Sequence, residues 1–218
     1  GRAMVEYLAE RKFAVAIHYH HSQRDAEALA AELRAQGCHA AVLQADLLDE
    51  AACGALVPRA SQALAAPLTV LVDNASIFEY DTLRTATRES WDRHMGSNLR
   101  APFVLTQSFA AQAPKADCSG PEPRARALIV NMLDQRVLKL TPEFSSYTLA
   151  KMGLWALTRT AAQELAPDIR VNAIGPGPTL QGSRQSTQHF ARQRSATILE
   201  RGADFSDICA ALGYFIDA

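Results

Sequence analysis

The chain has 218 residues, 48% hydrophobic and 21% charged, a composition that suits one soluble globular domain with a sizeable core. It is too short for two comfortable domains and too apolar to be disordered. Its 22 basic and 23 acidic residues leave a net charge of −1, against the basic surplus of a general nucleic-acid binder. No apolar run approaches the roughly 18 residues of a membrane span, and no signal-peptide pattern opens the sequence. Cys38, Cys53, Cys118 and Cys209 are scattered, with no CxxC pair or Cys/His cluster. Neither a metal site nor a disulfide framework is expected, and a reducing cytoplasm is the simplest home.

In chain order, Arg2–Glu10 reads as an amphipathic helix and Phe13–Tyr19 as a short strand. Ser22–Gln36 has helical spacing and ends at Gly37, a good residue to follow a helix. His39–Gln44 is a second strand. Asp49–Ala65 is a helix that Pro58 should kink unless it falls in the first turn. Leu68–Asp73 is a continuous apolar strand, as when both faces are buried. Glu89–Ala113 is one long helical stretch with a kink expected at Pro102, and Ala116–Arg126 is a Pro-rich loop. Ala127–Met132 is another buried strand, Ser145–Ala166 a strong helix and Ile169–Ile174 a strand. Gly175–Pro178 is irregular, Gln181–Arg194 polar like a mobile lid, and Asp204–Phe215 helical. Strands alternating with helices predict an α/β fold: a Rossmann-like, doubly wound parallel sheet with helices on both faces, in one domain over 1–218. A helix at the start with no strand before it, and a helix at the end, lead us to expect that segments are missing at both ends.

Tyr147-Thr-Leu-Ala-Lys151 is the sharpest constellation. Positions i and i+4 share one helix face, where an ammonium should lower the phenol's pKa so that it exchanges protons near neutrality. Met152, Leu154, Trp155 and Leu157 put Lys151 near a core boundary. Asp73-Asn74-Ala75-Ser76 ends a buried strand, at the edge where ligands bind in doubly wound sheets. Asn98 sits mid-helix, where it can bend the helix and hold a water. Asp134 follows the strand Ala127–Met132 and lies close enough in sequence to Tyr147 for both to reach one cleft. Pro176-Gly177-Pro178 can bring backbone close to a flat ligand.

Together these residues resemble the short-chain dehydrogenase/reductase family, over nearly the whole chain. Gly1–Leu8 resembles the tail of its Gly-rich loop and first helix, followed by Asp46, Asn74-Ala75-Ser76, Asn98, Tyr147 with Lys151, and Pro176-Gly177. The resemblance implies a nicotinamide-dependent oxidoreductase. Tyr147 would be the acid/base, Lys151 would bind the nicotinamide ribose, Asn98 would hold a relay water, and Asp46 with Leu47 would meet the adenine. Homotetramers built on Glu89–Ala113 and Ser145–Ala166 are also implied. The family's first strand, most of its Gly-rich loop apart from Gly1, and its last strand are not found, which we expect to reflect truncation.

Asp134 stands where most of the family has serine. With Asn74-Ala-Ser-Ile-Phe78 it resembles the pteridine reductase branch, which implies a reduced pterin or folate as substrate. Phe78 would be the stacking platform, Asp134 the second acid or its relay, and Pro178 a further substrate contact. The segment His20-His21-Ser22-Gln-Arg24 has no acidic residue to meet a ribose 2′-hydroxyl. His20, His21, Ser22 and Arg24 instead suit a 2′-phosphate, so NADP(H) is expected, and Ser22 can also cap the helix. The rival expectations are a short-chain reductase of a ketone, sugar or 3-oxoacyl substrate, and a non-catalytic dinucleotide sensor.

Overall fold

Five parallel strands carry the molecule in the computed structural model, which describes residues 1–182 and 185–218. The elements run α1 (Arg2–Glu10), β1 (Val15–Tyr19), α2 (Gln23–Ala35), β2 (Ala40–Gln44), α3 (Glu50–Leu64), β3 (Val70–Asp73) and α4 (Arg88–Met95). A π turn (Gly96–Arg100), α5 (Ala101–Gln112), β4 (Ala127–Met132), a 3₁₀ turn (Gln135–Val137), α6 (Ser145–Leu165), β5 (Ile169–Ile174), α7 (Thr187–Ser195) and α8 (Phe205–Asp217) follow. Among the described residues, no helix is long and apolar enough to cross a membrane.

The α/β reading holds, with helices on both faces. β4 shows why its sequence is uniformly apolar. Ile129 packs into a core with α3, α5 and α6, whereas Leu128, Val130 and Met132 pack on the opposite face with α1 and α8. Every residue of β4 is buried, as a strand covered on both faces requires. A separate core joins α1, α2, β1 and β2.

The ladder is interrupted. β1 pairs with β2 in one parallel sheet, and β3, β4 and β5 form another in that order. Between the two sheets lies a cavity of about 710 Å³, lined by apolar residues of β1 and β3 such as Val15, Ile17, Val70 and Val72. β3 is consequently shorter and less buried than expected: it begins at Val70, and only Asp73 of its residues is fully buried.

Prolines and glycines act locally as their chemistry demands. Pro58 lies inside α3, not in its first turn. It cannot donate to the Gly54 carbonyl, and the Ser108 hydroxyl does so instead at 3.2 Å. The long helical stretch expected over 89–113 runs unbroken from Arg88 to Gln112, with a π turn at Gly96–Arg100 just before Pro102. Gly37 has φ +82, and the Gly37 and Cys38 amides close α2 on the Arg34 and Leu33 carbonyls. Ser22 takes the N-cap position of α2 but makes no side-chain cap bond. The polar segment 181–194 contains α7, which Arg194 ties to the Pro178 and Ala203 carbonyls at 3.2 Å, so the expected lid is in good part an anchored helix. Residues 183–184 of that segment lie outside the described residues.

Candidate active site

Parallel strands place their C-terminal ends on one edge, and the expected site residues collect there. β4 leads through Leu133 to Asp134, whose carboxylate does two things. Its Oδ1 accepts the Arg136 N–H at 2.9 Å, starting the 3₁₀ turn, and its Oδ2 accepts the Tyr147 hydroxyl at 2.9 Å. Asp134 is therefore both a cap and a partner of the phenol. Tyr147 is 5% exposed and Lys151, one turn along α6, is 3% exposed. The Lys151 ammonium donates to the Met132 carbonyl at 2.8 Å and lies 5.8 Å from the centre of the Tyr147 ring.

These contacts correct one expectation. Lys151 does not bring the phenol toward neutrality. Burial, the Asp134 charge and donation to Asp134 push the Tyr147 hydroxyl well above its usual range, against smaller pulls from Ser76 and Arg136. The phenol is held protonated. Burial pushes Lys151 down to about 8, opposed by the Asp134 and Asp73 carboxylates. Both groups carry their protons near neutrality, the form from which a proton donor starts.

Asn98 holds the neighbouring loop. It is fully buried in the π turn, and its amide embraces one loop residue: Oδ1 accepts the Ile77 N–H and Nδ2 donates to the Ile77 carbonyl, both at 2.8 Å. The side chain positions the loop. Gly153 lets α6 close on this turn, since a Cβ there would stand 2.7 Å from the Leu99 side chain.

Phe78, next to Ile77, is 45% exposed. Its ring meets Tyr147 edge-on at 4.7 Å and stacks on Phe144 at 4.3 Å. The Arg136 guanidinium lies 4.6 Å from the centre of the Phe144 ring. Phe144 and Arg136 were not singled out in the sequence. Phe144 is also the left-handed residue (φ 56) before α6, and nothing in its local pattern signals either role. Pro176 and Gly177 follow β5, and Gly177 approaches the Gln135 side chain, so this loop adjoins the Asp134 turn. Pro178 sits beyond it, held by Arg194.

Of the remaining expected residues, those after β1 and β2 lie across the cavity, and Asn74, Ala75 and Ser76 lie on the Tyr147 side. His20, His21, Ser22 and Arg24 are exposed at the end of β1. The His20 and His21 rings are 3.6 Å apart, and His20 approaches Asp46 at 3.7 Å. The Asp46 carboxylate accepts the Leu48 N–H at 2.9 Å, bracketing Leu47. Asn74 follows β3 with its amide beside Gly1, where a Cβ would meet it at 3.2 Å, and Ala75 and Ser76 are exposed next to it. Asp73 and Asn131 face each other in register at the ends of β3 and β4. Asp73 Oδ2 and Asn131 Oδ1 are buried without hydrogen-bond partners. Burial pushes Asp73 up to about 7, against the attraction of Lys151.

Tyrosine and lysine thus stand one helical turn apart, beside small polar residues at the ends of the neighbouring strands. The short chain dehydrogenase family model matches residues 1–192. The chain belongs to that family. Among solved structures, it is similar to FolM alternative dihydrofolate reductase 1 from Brucella canis, crystallised with NADP: 41% identity, TM-score 0.91, over 100% of this chain and 82% of that one. It is 32% identical to pteridine reductase 1 of Leishmania tarentolae over 81% of this chain and 72% of that protein. It is also 30% identical to a 3-oxoacyl-[acyl-carrier-protein] reductase of Staphylococcus aureus, over 81% of this chain and 69% of that protein. The chain is an oxidoreductase of this family, and its likeness falls on the pteridine reductase side as well as on the 3-oxoacyl side.

Proposed function

We propose that this oxidoreductase reduces a pterin or folate ring with NADPH. The observation that carries the reading is the hydrogen bond from the Tyr147 hydroxyl to Asp134, with the exposed Phe78 ring 4.7 Å from Tyr147. An ionised carboxylate is a poor oxyanion donor for a ketone. It is a good partner for the amino and ring N–H edge of a pterin, and an exposed phenyl is a stacking surface for a flat heterocycle. The similarity to dihydrofolate and pteridine reductases supports the same substrate class.

The cofactor reading rests on residues at both ends of the strand edge. Lys151, Asn74, Ala75, Ser76, Pro176 and Gly177 would hold the nicotinamide half. Asp46 and Leu47 would meet the adenine. His20, His21, Ser22 and Arg24 would meet the 2′-phosphate, with Ser22 left uncapping and Arg24 exposed. When bound, NADPH supplies the hydride. The chain's own residues supply the rest: Phe78 orients the ring, and Tyr147 and Asp134 share along their hydrogen bond the proton that the ring nitrogen takes. The facing edges of β1 and β3 suit a further parallel strand in the 710 Å³ slot, which would bring a glycine-rich turn to Gly1. Assembly as a homotetramer is supported by Trp91, Phe103 and Leu149, which leave apolar surface exposed along α4, α5 and α6. A reducing cytoplasm fits four cysteines that are all free.

The test is NADPH oxidation with dihydrobiopterin and dihydrofolate beside a panel of ketones, sugars and 3-oxoacyl thioesters. The proposal expects the highest kcat/KM with a dihydropterin. A ketone or thioester turned over far better would assign the protein to the general reductases, and binding of NADPH without turnover of any substrate would make it a sensor.

A further inference from the structure

A buried polar network, absent from the sequence reading, joins the Phe78 loop to the helix that carries Tyr147. His94 of α4 and Ser146 of α6 are each 0–1% exposed, and Asp81, in the loop after Phe78, is 2% exposed. The Glu79 amide donates to His94 Nε2 at 3.0 Å. An amide can only donate, so Nε2 is unprotonated and the proton of the neutral ring sits on Nδ1. Burial holds the ring neutral by lowering its pKa, against the pull of Asp81 and Glu79. Nδ1 therefore donates to Ser146 Oγ at 2.6 Å, and Ser146 Oγ in turn donates to Asp81 Oδ2. Asp81 stays ionised: burial opposes its charge, but donation from the Ser146 hydroxyl and amide, from Ser90, and the nearness of His94 outweigh it.

The same aspartate starts α6. That helix has no side-chain cap of its own, because its N-cap residue is Phe144, which carries no acceptor. Asp81 supplies the missing acceptors from a distant loop. Its carbonyl accepts the Phe144 amide at 2.7 Å, and its Oδ1 accepts the Ser146 amide at 3.2 Å. Ser90 Oγ adds a further bond to Oδ2 at 3.2 Å, tying in α4.

Phe78 thus stands between two anchored neighbours, with Ile77 gripped by Asn98 and Glu79 by His94. Tyr147 directly follows Ser146, and the His94 ring meets the Tyr147 ring edge-on at 5.9 Å. We propose that His94, Ser146 and Asp81 are positioning residues: a one-way hydrogen-bond chain that locks the stacking ring Phe78 and the proton donor Tyr147 into a single preset unit. The inference rests on the reductase reading of Tyr147 and does not depend on the substrate being a pterin. Preset geometry matters because displacement of a reacting group by about 1 Å can cost about 10²-fold in rate. The chain also carries a stability cost if cut, since a buried donor or acceptor left unpaired is destabilising. Activity must therefore be separated from folding.

Ser146→Ala cuts the chain at its centre and removes only one hydroxyl. It is to be measured at a fixed interval below its own Tm, with Asp81→Asn as a second variant. We expect kcat to fall about tenfold on whichever substrate the wild type turns over best, with the NADPH Kd within twofold. Amide exchange should accelerate at Glu79, whereas Ile77, held by Asn98, stays protected. Adding Phe78→Ala to Ser146→Ala should cost less on a dihydropterin than Phe78→Ala alone, because the ring is already loose. A kcat within twofold of wild type, or Glu79 exchange unchanged, would overturn the proposal, whatever the loss in Tm. A wild type that reduces ketones and not dihydropterins would overturn the substrate reading alone, and a tenfold loss on the ketone would still uphold the clamp.

Discussion

The two sides of the strand edge differ in how completely the chain satisfies itself. Around Tyr147 the buried side chains that shape the site find partners: Tyr147 with Asp134, Lys151 with the Met132 carbonyl, His94 with Ser146, and Asn98 with both backbone groups of Ile77. Around β1 and β3 the opposite holds. The sheets stand apart across a 710 Å³ slot lined in part by Asp73, whose Oδ2 is buried without a partner, as are Asn131 Oδ1 of β4 and Thr148 Oγ1 of α6. Buried orphans of that kind are costly and rare in a finished core. The contrast teaches that the groups around Tyr147 are held in place by the chain itself, whereas Asp73, beside the slot, is not.

The largest effect expected is on the satisfied side. Tyr147→Phe removes the shared proton and little volume, so steady-state reduction should fall by about 10² to 10⁴-fold, as for a general acid. The cofactor Kd, measured by fluorescence, should barely move. Residual turnover within about threefold of wild type would take Tyr147 out of its role and erase the contrast. Cofactor choice comes next. If the exposed tip at His20–Arg24 receives a 2′-phosphate, kcat/KM should favour NADPH over NADH at least tenfold, about 1.4 kcal/mol. Arg24→Ala should remove most of that preference. Equal use of the two cofactors would contradict the assignment of Ser22 and Arg24.

Much of this was legible in the sequence, for physical reasons that can be named. β4 declared itself because a strand covered on both faces must be apolar at every position. Tyr147 and Lys151 declared themselves because one helical turn fixes their common face. What stayed hidden depends on contacts distant in sequence. Asp81 and Ser146 are separated by 65 positions and His94 and Ser146 by 52, and no local pattern marks either pair. The Phe144 stack likewise needs a left-handed backbone at a phenylalanine, against that residue's preference. The rise in the Tyr147 pKa was missed because helical spacing reveals Lys151 and says nothing of burial or of Asp134.

A smaller effect sharpens the unsatisfied side. Asp73 binds its proton more tightly in the fold, at about 7 against an ordinary value of 3.8. Folded and unfolded chains differ in proton uptake between those two values, so stability is lost as pH rises through that window and the loss is complete above pH 7. Asp73→Asn removes the buried charge. It should raise Tm at pH 8 and change it little near pH 4, as read by thermal melts across pH. A change that is the same at both ends would show that the Asp73 pKa is not raised in the fold.

The most direct test of the substrate reading is one ratio, kcat/KM for a dihydropterin over kcat/KM for a ketone, measured in the wild type and in Asp134→Ser. Serine restores a neutral hydroxyl donor where the structure holds a carboxylate bonded to Tyr147 at 2.9 Å. The account predicts a wild-type ratio well above one, and a fall of at least tenfold in Asp134→Ser through lost pterin turnover, with ketone turnover unchanged or improved. An unchanged ratio, or a wild type that prefers the ketone, would contradict it.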